Sequence, residues 1–260
     1  MAPPPATRVL LLPLRPNGRH WVWAASAGRG PADGEGQAGV WERVRKMVRQ
    51  RADAGWKQLV AAAEGKGMQS RAARLVRDAV ESIDADERFL ASIPANAESL
   101  HVAYPSNMHE TLVRRRARLL AVRRAEGIHA SKRFVYGGTT ALFSPLMLSP
   151  FPNIPLYYTA YRTYMHQSAL SGGRRFARTL RAWEADPACR PSPADGAYEL
   201  DVGDGMRDTV EASTALADAV LNGAAERPET ADELGVAFGV PELGAAVELK
   251  LRQLRARGVL

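Results

Sequence analysis

The chain has a single cysteine, Cys189, so an intramolecular disulfide is excluded and the expected compartment is one that needs none. Acidic residues are missing over a long stretch, with none between Glu126 and Glu184. A proton-coupled cation exchanger ordinarily places a titratable carboxylate near the bilayer midplane, and this stretch offers none. Catalytic motifs are also missing: there is no His-Glu-x-x-His, no Gly-x-Ser-x-Gly and no phosphate loop, since Gly203 and Gly205 lack a following lysine. His20, His101, His109, His129 and His166 form no ligand pair at helical spacing, and Cys189, between Pro187 and Pro191, has no basic partner in sequence. No enzyme, metal or cofactor is expected. Zinc-finger spacing and other recognition modules are absent too, so the net charge of +7 is not read as nucleic-acid binding. A secretory signal peptide is not expected, because the N-terminal apolar run is short and broken by proline.

What is present is organised around residues 134–161, FVYGGTTALFSPLMLSPFPNIPLYYTAY, which hold no charged residue and four prolines, Pro145, Pro150, Pro152 and Pro155. Prolines of PFPNIP remove backbone donors, so helix should stop near Ser149 and restart near Ile154 or Pro155. Two apolar arms of roughly 15 residues, each about 23 Å long, then flank a rigid turn. Each arm falls short of the roughly 30 Å hydrocarbon core, so a hairpin entering and leaving one face suits the lengths better than two full spans. The shoulders agree. Residues 110–133 carry +6 and residues 162–181 carry +5, as expected for two ends held on one anionic face. The membrane-facing basic set is Arg114, Arg115, Arg116, Arg118, Arg123, Arg124, Lys132, Arg133, Arg174, Arg175 and Arg178. Competing readings are a hairpin buried within a soluble domain and a single kinked span.

Upstream, Arg8–Leu14 and His20–Ala25 read as a β-hairpin with an Asn17-Gly18 turn. The first 32 residues contain four arginines and no acid, the charge balance of a mitochondrial transit peptide, although their prolines oppose the amphipathic helix such peptides form. Amphipathic helices are expected over 40–63, with Trp41 and Trp56 as core anchors, and over 70–91, where Asp84, Asp86 and Glu87 form a solvated acidic turn. Ser99–Tyr104 is a strand able to join the hairpin. A helix should run from Met108 toward His129 with a pause near Gly127, and the second arm should reach Gly172-Gly173 and resume as Arg174–Ala185. The chain changes sign after this, with −8 over residues 182–260; a linker is expected at 186–203 and helices over Asp204–Leu221, Thr230–Phe238 and Leu243–Arg257.

The expected class is α+β and predominantly helical, with a small N-terminal β-hairpin or sheet, long helices carrying a proline-tipped apolar hairpin, and a small C-terminal helical region. The expected divisions are 1–109, 110–185, the linker 186–203, and 204–260.

The stretch SPLMLSPFPNIPLYYTAYRTYMHQSALSG resembles the signature region of the mitochondrial K+–H+ exchange-related proteins. The pattern falls on Pro152, Asn153, Pro155, Tyr157, Tyr158, Tyr161, Arg162, His166, Ala169 and Gly172, while Met165 and Gln167 stand where the family pattern has Ser and an aromatic. The resemblance implies a protein of the mitochondrial inner membrane linked to potassium–proton exchange, with membrane lipids and a protein of the exchange system as partners. Together with the missing acids it leads to an auxiliary or scaffold component. An antiporter in its own right and a soluble helical interaction module are the alternatives.

Overall fold

The computed structural model describes residues 7–15, 20–26, 71, 74, 78–79, 83–143, 154–185, 197–203, 206–223 and 226–259, with backbone alone at 123–126, 154, 155 and 157. The chain forms two compact units. The first comprises Met1–Gly30, Asp84–Ala130 and Gln167–Leu260, and the second Pro31–Ile83 and Ser131–His166. The boundaries at 130/131 and 166/167 fall inside continuous helical stretches.

The first unit is built on a five-stranded sheet. Strand β1, Thr7–Pro13, pairs antiparallel with β2, Trp21–Ala25, and parallel with β3, Leu100–Pro105. The N-terminal hairpin and the strand expected to join it are therefore observed; the Asn17-Gly18 turn lies outside the described residues. Two further strands, β4 at Ala197–Gly203 and β5 at Met206–Ser213, complete the order β2-β1-β3-β5-β4. They replace the linker expected through 203 and the helix expected from Asp204 with two paired strands. Side chains of Met206–Ser213 alternate in burial, with Asp208 and Val210 inward, and the open edge of β3 pairs with this segment from His101↔Thr209 to Pro105↔Ser213.

Strand β1 has apolar residues at consecutive positions because both of its faces are covered. Val9 and Leu11 join Trp21, Trp23, Val102, Tyr104 and Val210 in one core, whereas Leu10, Leu12, Val22, Ala24 and Ala103 join the other. The first core is closed by helix α1, Ala85–Ser92, helix α2, Glu110–Arg118, and the Gln167–Ala185 part of a long helix described below. Trp23, Phe89 and Phe176 meet ring to ring at 6.1 and 5.8 Å. Over the other face pack α5, Thr214–Leu221, α6, Pro228–Ala237, and α7, Leu243–Ala256, so the tail is part of the main core and not a separate helical unit.

Helix α1 begins at an Asp84 cap whose carboxylate accepts from the Asp86 amide at 3.3 Å. Its acids are not a solvated turn. Asp86 and Glu87 are buried, and Asp86 accepts from Lys250 Nζ at 3.0 Å. Beyond α2 the chain continues as a π-helix over Leu119–His129 and then as α3, Ala130–Phe143, so the expected pause near Gly127 is a change of helical register without a break. Helix α4, Ile154–Ala185, starts where the prolines predict. It does not pause at Gly172-Gly173. A Cβ on Gly172 would strike the Leu90 carbonyl and approach Ile93 O to 2.7 Å, so the glycine serves a close approach of backbones and the helix runs through it. The expected helix over 40–63, with Trp41 and Trp56, lies outside the described residues. Among the described residues no helix is long and apolar enough to cross a membrane.

Candidate functional site

The second unit brings together residues of the two helices that precede and follow the proline-rich segment 144–153. Helix α3 turns Tyr136, Gly137 and Thr140 toward α4 at Tyr158, Thr163 and His166. Tyr136 and Tyr158 meet edge to face at 6.4 Å, Tyr136 lies 5.3 Å from the His166 ring, and Thr140 Oγ1 is 3.3 Å from Thr163 Oγ1. A Cβ at Gly137 would meet Thr163 Cγ2 at 4.0 Å, ordinary contact, so the approach of the arms does not depend on glycine there.

Arg162 and His166 are one turn apart on α4 and both are buried, His166 completely. Arg162 Nη2 lies 3.2 Å from His166 Nε2. A guanidinium has no acceptor, so Nε2 must accept and carries no proton in this arrangement. The Arg162 charge also sits 5.5 Å over the Tyr136 ring, whose electron-rich face offsets part of its desolvation. Tyr158 and Tyr161 are half-buried, Ala169 and Gly172 are buried, and Tyr157 and Pro155 are helical with only their backbones described. Pro145, Pro150, Pro152 and Asn153 lie outside the described residues.

The basic set divides. Arg115, Arg118, Lys132, Arg174 and Arg178 are exposed, Arg116 and Arg133 are half-buried, and the side chains of Arg123 and Arg124 are outside the described residues. Two assignments are corrected. Arg175 is 1 % exposed and faces the sheet of the first unit, where Nη1 and Nη2 donate to the two carboxylate oxygens of Asp208 at 2.8 and 2.6 Å and Nε donates to Ala97 O at 2.9 Å. Thr179 Oγ1 donates to the same carboxylate at 2.7 Å, and the Leu100 amide at 2.7 Å. Such a fork, satisfied on every side, is how a buried arginine is tolerated. Arg114 is half-buried as well: its guanidinium is 3.1 Å from the buried Glu110 carboxylate and 5.8 Å from the Trp183 ring, which ties α2 to α4. Arg175 is therefore not available to lipid, and the Arg114 guanidinium is engaged within the first unit.

Sequence reasoning missed Asp208, Tyr136 and the pair Glu87 and His129. The last two are buried in the first unit, with a carboxylate oxygen and a ring nitrogen within 4.8 Å of each other. Linear spacing could not reveal that pair, because the residues belong to α1 and to the end of the π-helix. For Asp208 a signal existed: it occupies the apolar parity of an alternating strand, the position of a buried charge that needs a partner. At the far end of α4, an open cleft of about 480 Å³ is walled by Arg178, Arg181 and Asp201 among others, all at the protein surface.

No curated protein and no solved structure matches the chain. Residues 8–180, more than half of its length, match the family described as mitochondrial K+-H+ exchange-related, and this span takes in both arms, the Arg162–His166 pair and Arg175. The chain belongs to the mitochondrial K+-H+ exchange-related family.

Proposed function

We propose that the protein is an auxiliary or scaffold component of mitochondrial K+–H+ exchange, held at the inner membrane and partnered by a protein that performs the exchange. Family membership carries the mitochondrial, K+–H+ exchange-related role. The auxiliary assignment rests on one observation: the motif histidine, His166, is fully buried and spends its Nε2 lone pair on Arg162. While that lone pair accepts from Arg162, Nε2 is not open to an incoming proton, as a proton carrier at this position would need. The absence of any acid from 127 to 183 points the same way, since no carboxylate in this span can balance an entering K+.

The buried-hairpin alternative is disfavoured by α3, in which no residue is buried and Phe134, Val135 and Leu142 are 69, 64 and 73 % exposed. The test is reconstitution of the purified full chain in potassium-loaded vesicles, beside potassium-acetate swelling of mitochondria lacking it. Swelling should change in the mitochondria, while the vesicles should show no K+–H+ exchange. Exchange by the chain unaided, abolished by His166→Gln, would overturn the auxiliary role.

A further inference from the structure

Helix α3 has two different sides. Tyr136, Gly137 and Thr140 are turned toward α4, whereas Phe134, Val135, Gly138, Ala141 and Leu142 are exposed. At 100° per residue those five exposed positions fall within an arc of about 120°, so they form one uncharged stripe. Its length from Phe134 to Leu142 is about 12 Å along the axis. Exposure of three large apolar side chains on one short helix face is the pattern of an interaction surface.

Charge decides what covers it. The stripe begins at Lys132 and Arg133, with the Arg133 guanidinium 4.5 Å over the Phe134 ring, and from Ser131 to His166 there are three cations and no anion. Pairing with a second copy through this face would set these cations against their own kind. An anionic bilayer surface offers the complement to both features, headgroup charge for the two cations and the acyl boundary for Phe134, Val135 and Leu142.

We infer that the outer face of α3 is a lipid-docking site, on which the helix lies in the plane of an anionic leaflet with Phe134, Val135 and Leu142 seated below the headgroups. This rests on the membrane association proposed above and replaces the dipping first arm of the sequence reading with an interfacial one. The helix, about 21 Å long, is too short to cross but long enough to lie flat.

The test uses the full chain and vesicles of phosphatidylcholine with and without 30 % phosphatidylglycerol. Wild type should sediment with the anionic vesicles, and the triple change Phe134→Ser, Val135→Ser, Leu142→Ser should weaken partitioning by on the order of tenfold or more. Lys132→Gln with Arg133→Gln should weaken it by about 25-fold at low salt, and less at high salt. In a Cys189→Ser background, an environment-sensitive dye at Leu142→Cys should turn fluorescent on adding anionic vesicles. Lys132, Phe134, Val135 and Leu142 are exposed and Arg133 is half-buried at the surface, so the changes should leave circular dichroism as in the wild type. Wild-type binding that the triple change leaves intact, with the dye silent, overturns the docking site while leaving membrane association standing. No vesicle binding by wild type overturns both. A dye already shielded without vesicles means that a second copy or the chain's own segment covers the face, which refutes lipid docking; sedimentation equilibrium distinguishes the two.

Discussion

Removing Asp208 should be among the most destabilising single changes available in the first unit. The carboxylate is wholly buried and accepts from Arg175 Nη1, Arg175 Nη2, Thr179 Oγ1 and the Leu100 amide, so Asp208→Ala strands a guanidinium, a hydroxyl and a strand amide at once. Breaking one partner of a buried pair costs about 3–5 kcal/mol, a large part of the roughly 5–15 kcal/mol that holds a domain folded. With a urea slope of about 2–3 kcal/mol per molar, the midpoint should fall by about 1–2 M. Tryptophan fluorescence is a suitable readout, because Trp23 and Trp183 belong to the same core. The double change Arg175→Met, Asp208→Leu should cost well below the sum of the single changes, since it leaves no buried charge uncompensated. A cost below about 1 kcal/mol for Asp208→Ala, or a double mutant as unstable as the two singles added, would refute the reading that this pair is a buried, mutually dependent lock.

Gly172→Ala should destabilise by about 1–3 kcal/mol or more, because the new methyl meets the Leu90 carbonyl and backbone must move; a thermal midpoint equal to wild type would contradict the observed approach of α1 and α4. His166→Leu should cost about 1–3 kcal/mol by removing the acceptor at Arg162 Nη2, whereas His166→Gln, which keeps an acceptor, should cost less; equal costs in urea titrations would show that packing and not the hydrogen bond matters there.

How much of this was readable from the chain follows from the range of each interaction. Sequence determined the apolar strands of the N-terminal hairpin and the restart of helix at Ile154, because each depends on residues within a few positions: a short run of strand formers and proline's fixed φ. Tertiary structure decided what spacing leaves open. Met206–Ser213 carries polar residues suited to either a helix or a strand, and the unpaired edge of β3 made it a strand. Gly172-Gly173 reads as a break in sequence, yet the helix is unbroken and Gly172 is a close contact, since only the neighbouring backbone at Leu90 and Ile93 reveals why a side chain is excluded. Arg175 looks like one more cation of a basic shoulder until Asp208, on a strand 33 residues later, is brought beside it. Burial of a charge is a property of what packs around it, and no pattern local to the arginine carries that information.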